Sequence, residues 1–352
     1  MVARFRRAKG RFATFARALA IAGALVPATF APAARAEDFY RGKTLTVAIG
    51  APAGGIYDIT ARLYARHIAN FIPGAPTVVV QNMPGAAGLR AANWLYNAAP
   101  KDGTSIALSL DNLLLSQVLS PADVKYRSGK FNWIGRGDKP TRVLFVWTAS
   151  GLRSLDDVRK REVLVGVTAP GTASELYPSM TNALLGTKFR MINGYEGAGG
   201  LNIALERGEI EAVGANAWVN LVVTKPEWVR DGKVRPLFQT SLARDPVLPD
   251  TPTLLELAET DAQREIIRFE ARSEEIGYYL IAPPETPADR VEILRAAFAG
   301  MTGSPAYLAE AKRLDMGTGA LSGRDLQEIA ELVESAPAGV VKGMRDAASP
   351  KN

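Results

Sequence analysis

One three-part unit recurs four times in this sequence and constrains the fold more than any other feature. Each copy is a short β-rich run, then a turn of small residues, then a run with helical spacing. The four pairs of run and turn are KTLTVAIG with APAGG (51–55), PTVVVQN with MPGAAG (83–88), EVLVGVT (162–168) with APGTAS, and KFRMINGY (188–195) with EGAGG. Strands that alternate with helices, and that are rich in Val and Ile, indicate an α/β protein with parallel sheets covered by helices.

The four units fall into two pairs, which predicts two domains. Further extended runs stand at 142–150, 233–244 and 276–287, and helical spacing recurs near 254–270, 287–300, 304–313 and 323–345. More than 300 residues also exceed what one hydrophobic core usually organises. We expect domain 1 to comprise 37–142 plus 241–352 and domain 2 to comprise 143–240, with a hinged ligand cleft between the two domains.

The first 36 residues predict a cleaved secretory signal peptide and therefore a periplasmic protein. A basic head precedes the apolar stretch 18–31, and Ala34-Arg35-Ala36 forms a small-x-small cleavage site. Seven of the 42 Lys and Arg residues, and none of the 36 Asp and Glu residues, lie in this segment. The remainder carries 35 basic and 36 acidic residues, so the basic pI of the whole chain does not indicate a nucleic-acid partner.

The residue inventory excludes several kinds of active site. The chain has no cysteine and a single histidine, His67, which we interpret as a helix residue with a local hydrogen bond. Thiolate chemistry and histidine-based metal clusters are therefore excluded, and neither a metal nor a cofactor is expected. The first turn does not match the dinucleotide fingerprint, because Gly50-x-x-x-Gly54-Gly55 differs from G-x-G-x-x-G.

The small-residue turns suit an anion. In open α/β sheets ligands bind beyond the carboxyl ends of the strands, and the first N–H groups of a helix have no partner within the helix. Together with the helix dipole, those amides favour a carboxylate or a phosphate without any Lys or Arg. Purely structural roles stay open for the same residues. Asp58 could cap its helix by accepting the N–H of Thr60 or Ala61, and the glycines could serve only tight turning. Thr172 and Ser174 could be helix caps, and Tyr195 could serve packing.

An ordered series of motifs resembles the solute-binding proteins of tripartite tricarboxylate transporters, the Bug family. The motifs are Ala53-Gly54-Gly55-x-x-Asp58, Gln81-Asn82-x-Pro84-Gly85-Ala86-x-Gly88, Pro100-Lys101-Asp102-Gly103-Thr104, Tyr195-x-Gly197, Asp231-Gly232-Lys233-Val234-Arg235-Pro236-Leu237 and Leu248-Pro249-Asp250-Thr251-Pro252-Thr253. They extend along nearly the whole chain after the leader.

The resemblance implies a type II periplasmic-binding-protein fold. It implies a monomer that closes on a small organic carboxylate and delivers it to a permease with one large and one small membrane subunit. It places these residues at the ligand: Gly54, Gly55, Asp58, Pro84, Gly85, Gly88, Thr172, Ser174, Tyr195, Gly197 and Asn216. Tyr57, which precedes Asp58, is a further candidate for the ligand site.

Three departures from the family pattern speak against its common dicarboxylate and tricarboxylate ligands. Tyr57 replaces a small residue, Glu211 replaces the usual Asp, and Asn216 stands where Asp is frequent. The ring of Tyr57 would narrow the pocket or stack on a ligand. A ligand sensor that docks on a membrane receptor kinase is the alternative function, and the identity of the ligand stays open. An enzyme is the third and least favoured alternative, because the sequence offers no nucleophile–base set.

Overall fold

The computed structural model describes residues 39–168, 171–317 and 319–349. The predicted leader, 1–36, lies outside these residues, as do two positions of the third turn. The described part folds into two mixed sheets covered by helices. The α-helices are α1 (Ile56–Ile68), α2 (Leu89–Asn97), α3 (Leu113–Leu119), α4 (Leu155–Lys160), α5 (Ala173–Leu185), α6 (Gly197–Glu206), α7 (Trp218–Thr224), α8 (Pro226–Arg230), α9 (Asp261–Glu274), α10 (Ala288–Thr302), α11 (Pro305–Arg313), α12 (Gly323–Glu334) and α13 (Ala338–Ala348).

The first sheet has six strands in the order β11-β4-β10-β3-β1-β2, and the second has five in the order β7-β6-β8-β5-β9. The strands are β1 (Thr44–Ile49), β2 (Thr77–Asn82), β3 (Ser105–Leu108), β4 (Asn132–Asp138), β5 (Arg142–Trp147), β6 (Val163–Gly166), β7 (Phe189–Ile192), β8 (Ala212–Ala217), β9 (Val234–Gln239), β10 (Tyr278–Ala282) and β11 (Leu321–Ser322).

The expected parallel pairing is found for the repeated units but not for the strands outside them. β1 pairs in parallel with β2 and β3, and β6 pairs in parallel with β7 and β8. The extended runs at 142–150, 233–244 and 276–287 form β5, β9 and β10, which all pair antiparallel. The chain passes from the first sheet to the second between β4 and β5 and returns between β9 and β10, so all three strands stand outside the repeated strand–turn–helix units.

The last predicted helix is two helices with a contact that the sequence did not suggest. α12 ends at Glu334 and α13 begins after Pro337, which cannot continue a helix because it lacks an N–H group. α13 then packs against α5, which covers the second sheet, and against α9. The C-terminus therefore joins elements of both sheets, while the domain boundaries at 142 and 240 stay predictions.

One continuous apolar core runs between the two sheets. It includes Trp133 and Tyr279 from the first sheet, Leu144 from the second, and Met344 from α13, all fully buried. Separate clusters line the outer faces of the sheets, around Phe298 and around Trp228. Among the described residues, none of the helices combines the length and the apolar character that a membrane span requires.

Candidate functional site

The four small-residue turns lie at the carboxyl ends of parallel strands, and each of them opens a helix, as predicted. β1 leads into α1, β2 into α2, β6 into α5 and β7 into α6. The first two turns expose their small residues to solvent, including Gly54, Gly55, Pro84 and Gly85. Each pair of turns therefore presents helix N-terminal amides at one edge of its own sheet.

A hydrogen-bonded network around Asp58 holds the first turn. Asp58 is the third residue of α1 and only 5% exposed. Its Oδ2 accepts the N–H of Gly54 at 2.9 Å, and both of its oxygens accept from Nε of Arg62 at 3.0 Å. The Nδ2 group of Asn82, at the end of β2, donates to Oδ1 of Asp58 at 3.0 Å and to the carbonyl of Ala51 at 3.1 Å.

This geometry corrects the predicted cap. Asp58 does not accept from Thr60 or Ala61; it accepts the N–H of Gly54, one residue before the N-cap Gly55, in the turn that precedes its helix. The hydrogen bond from Arg62, followed by the one from Gly54, lowers the pKa of Asp58 to about 2. The carboxylate of Asp58 is thus ionised, and both of its oxygens accept hydrogen bonds. The N–H of Gly54 in turn already has Asp58 as its acceptor.

The second turn has an unusual backbone. Gly85 has φ 133° and ψ 149°, a conformation open essentially to glycine alone, and Ala86 and Ala87 follow at φ 47° and 48°. Gly88 has φ 86°, and a Cβ built on it would lie 2.7 Å from Cγ of Leu110. A Cβ on Gly50, at the end of β1, would likewise lie 3.0 Å from Cα of Gly88, so the two turns are in close backbone contact.

Tyr57 does not lie free in the cleft. Its ring packs edge-on against Tyr278 with centroids 5.2 Å apart, and its hydroxyl accepts the N–H of Asp111 at 3.4 Å. Burial raises the pKa of Tyr57 well above its ordinary value. The side chain therefore braces the loop after β3 against α1 and is not positioned as a stacking platform.

Three hydroxyls cluster where β6 meets α5. The Oγ of Ser174 accepts the N–H of Thr168 at 3.0 Å and lies 2.9 Å from the hydroxyl of Thr172. The hydroxyl of Thr168 lies 3.0 Å from that of Ser174. Gly214 of β8 allows this approach, because a Cβ there would lie 1.9 Å from the carbonyl oxygen of Ser174. The structure thus brings Thr172 and Ser174 together.

The other predicted residues of the second domain lie at the fourth turn and near the end of β8. Tyr195 packs beside the core cluster around Leu201, and Gly197 opens α6. A register shift in β8 places Asn216 opposite Val143, where its Oδ1 accepts from Asn220 of α7 at 3.2 Å. Its Nδ2 is buried and has no hydrogen-bond acceptor among the described residues.

Glu211 and His67 turn out to be structural. Glu211 precedes β8, at the edge of the sheet opposite the turns, and pairs with Arg161 at 2.6 Å, so its departure from the family pattern does not affect a ligand there. The expectation of a local hydrogen bond for His67 is wrong. Its Nε2 lies 2.6 Å from Oε2 of Glu310 and links α1 to α11.

Sequence reasoning missed the most strongly charged group between the sheets. Arg142 opens β5, and its guanidinium contacts the carboxylates of Asp111 and Glu274. All three side chains are 15% exposed or less. No short motif contains them, since they come from a strand, a loop and a helix far apart in the chain. In the described parts of the chain, no cluster of three His, Asp or Glu side chains is suitable for holding a metal.

Comparisons with known proteins agree on one family. The sequence model of a family described as "Tripartite tricarboxylate transporter family receptor" matches residues 61–340. Protein BugT of Bordetella pertussis is 29% identical over 252 residues, covering 68% of this chain and 74% of BugT.

Solved structures show the same fold. A TctC solute-binding protein from Polaromonas, solved without ligand, has a TM-score of 0.66 at 21% identity, covering 87% of this chain and 98% of that one. MatC from Rhodopseudomonas palustris, solved with bound malate, has a TM-score of 0.61 at 24% identity, and the match covers 87% of this chain and 99% of MatC. These matches establish a two-domain α/β solute-binding fold.

Proposed function

The chain belongs to the tripartite tricarboxylate transporter receptor family, and on that premise we propose that it captures a small organic carboxylate and delivers it to a transporter of that kind. The carboxylate binds between the two domains, against the first two turns, and the domains close on it about the segments near 142 and 240. The observation that carries this proposal is the pair of exposed turns whose amides meet at one sheet edge.

The chemistry of these turns favours a carboxylate held by the backbone. Charge-assisted hydrogen bonds from amide donors contribute about 1.5–3 kcal/mol each, so two or three of them exceed a typical exposed ion pair. Neither turn contains Lys or Arg. The acidic group beside them, Asp58, is already neutralised by Arg62 and faces the N–H of Gly54, so it does not have to repel the incoming anion.

The second domain completes the site. Thr172 and Ser174 offer hydroxyls at the start of α5, Tyr195 and Gly197 belong to the fourth turn, and Asn216 brings a buried amide donor with no acceptor. Groups that can both donate and accept suit the variable end of a ligand, while the backbone turns suit the invariant carboxylate. The malate bound to MatC, a structural neighbour, is a carboxylate of this kind.

Calorimetry on the protein without its leader tests the ligand class. We expect binding from a panel of monocarboxylates, dicarboxylates and tricarboxylates, and none from neutral sugars or inorganic phosphate. Small-angle scattering should show a smaller radius of gyration at saturation, because ligand favours the closed form. Binding of sugars or phosphate in place of every organic acid would refute the proposal.

Localisation and delivery need separate experiments. If the leader is removed after Ala36, the protein recovered from the periplasm begins at Glu37, which N-terminal sequencing would show. Uptake of the radiolabelled ligand into spheroplasts should depend on added protein. Ligand binding without any effect on uptake would favour the sensor function.

A further inference from the structure

A buried group of charges joins the two domains beside the proposed site. Arg142 of β5 contacts Asp111, from the loop after β3, and Glu274, the last residue of α9. Their side chains are 13%, 15% and 9% exposed, respectively. The three residues come from the second sheet, the first sheet and the connection between them.

This group contains more acid than base. Glu270 lies one helical turn before Glu274 and is 1% exposed. Its Oε1 accepts the hydroxyl of Tyr177 at 2.6 Å, whereas its Oε2 is buried without a hydrogen-bond donor among the described residues. Burial, and then the charge of Glu274, raise the pKa of Glu270 well above its ordinary value. One guanidinium thus lies among three buried carboxyl groups, of which it contacts two.

The loop that carries Asp111 is in contact with both proposed carboxylate-binding turns. The N–H of Asp111 donates to the hydroxyl of Tyr57 in α1. Leu110 fills the space above Gly88, and the side chain of Asn112 donates to the carbonyl of Ala87 at 3.2 Å. A ligand carboxylate at these turns therefore lies next to the loop that holds Asp111 against Arg142.

We propose that Arg142 binds the distal carboxylate of a dicarboxylate ligand and that Asp111 occupies this position when no ligand is bound. The inference rests on the proposed function and names the ligand class of the same site. It runs against the expectation, drawn from Tyr57, Glu211 and Asn216, that a dicarboxylate is unsuitable. Tyr57 and Glu211 have partners of their own, and the Nδ2 of Asn216 is a donor.

The exchange leaves no buried charge without a partner, because Asp111, the most exposed of the three side chains, moves toward solvent as the ligand carboxylate takes its place on Arg142. A guanidinium presents its donors in a planar fork that fits one carboxylate as well as another, so the ligand can replace Asp111 with the same geometry. Asp111 is the partner to be replaced because it comes from a loop and is more exposed than Glu274, which is fixed on α9. A monocarboxylate has no second carboxylate for Arg142, so the contact between Arg142 and Asp111 is kept when it binds.

The test compares succinate with butyrate, which share a four-carbon chain, by calorimetry on wild type and on Asp111→Asn. The substitution removes the internal competitor, so we expect the ratio of succinate affinity to butyrate affinity to rise about tenfold. Asp346→Asn on α13, whose carboxylate pairs with exposed Lys342, is the control and should leave the ratio unchanged. An unchanged ratio in a folded Asp111→Asn protein would overturn the proposal.

A second variant decides the matter if Asp111→Asn does not fold. Removing the charge of Arg142 would leave buried carboxylates without a cationic partner. Arg142→Lys therefore keeps the positive charge and removes only the planar pair of guanidinium donors. We expect it to weaken succinate about tenfold and to leave butyrate within twofold. Equal weakening of both acids would show a structural role and refute the proposal. Wild type that binds neither these nor any other organic acid would instead refute the proposed function, and this inference with it.

Discussion

The two pairs of turns occupy equivalent places in the two sheets, yet they are built differently. In the first pair, Gly50, Gly88 and Leu110 are packed so closely that a single added methyl group would collide. Asp58, itself held by Arg62, stabilises the first turn by accepting the N–H of Gly54. In the second pair, Gly214 packs against the third turn, but Gly194 and Gly197 of the fourth turn have no neighbouring atom where a Cβ would stand.

We infer from this difference that the first pair of turns recognises the carboxylate that all ligands share, and that the second pair adapts to the part of the ligand that varies. Backbone amides held by close packing are preorganised for one group, such as a carboxylate. Open glycines and rotatable hydroxyls, such as those of Thr172 and Ser174, can adjust to ligands of different shape.

The largest expected effect comes from Gly85→Val. Gly85 has φ 133° and ψ 149°, so a β-branched residue must rebuild the second turn. We expect affinity for the carboxylate to fall at least about a hundredfold, with a native circular dichroism spectrum. Gly199→Val in α6 is the control, because its φ is negative and a Cβ there meets no atom within 4 Å. Comparable losses from both variants would remove the contrast.

A second pair of substitutions isolates packing from backbone strain. Gly88 and Gly197 have φ 86° and 63°, so alanine is strained at both positions by about 1 kcal/mol. Only Gly88 also places the new methyl group against Leu110, at 2.7 Å. We expect Gly88→Ala to lower the free energy of unfolding by about 2–3 kcal/mol and Gly197→Ala by about 1 kcal/mol. Urea denaturation of the two variants measures the difference, and equal values would contradict it.

Asp58→Asn should weaken stability in a manner that depends on pH. The folded pKa of Asp58 is about 2, below the ordinary value of 3.8, so its contribution is present above pH 4 and is lost as pH falls toward 2. Because Arg62 is half exposed, we expect a loss of only about 1–2 kcal/mol at pH 7. The gap between wild type and variant should narrow between pH 4 and pH 2, and a constant gap would argue against the ion pair.

The same variant should affect binding less than Gly85→Val does. Asp58 faces Arg62, Asn82 and the N–H of Gly54, so its charge supports the turn and is not itself a ligand contact. Calorimetry should show an affinity change below about tenfold. A loss as large as that of Gly85→Val would place Asp58 in the site directly.

The smallest effect is expected from Ser174→Ala in the second domain. Its Oγ accepts the N–H of Thr168 and shares hydrogen bonds with two hydroxyls, so deletion costs about 1 kcal/mol of stability. Affinity should change by less than about fivefold, because Thr172 and Thr168 remain to replace the lost hydroxyl. A hundredfold loss would show that the second domain is as strictly built as the first.

Several parts of the site were accessible to sequence reasoning and others were not. The turns at the ends of β1, β2, β6 and β7 were predicted with their helices, because a β-rich run, small residues and helical spacing follow one another within each segment. The direction of the hydrogen bonds of Asp58 was predicted wrongly, since the sequence does not show that Asn82 and Arg62 compete for the same carboxylate.

By itself the sequence determined the α/β class, the four turns at the sheet edges and the family, because each of these depends on local patterns of apolar, small and turn-forming residues. Only the tertiary structure decided the antiparallel strands, the contact of α13 with α5 and the meeting of Asp111, Arg142 and Glu274. These features join segments up to about 160 residues apart, and pairing over such distances is set by how whole elements share one core, which no local pattern records.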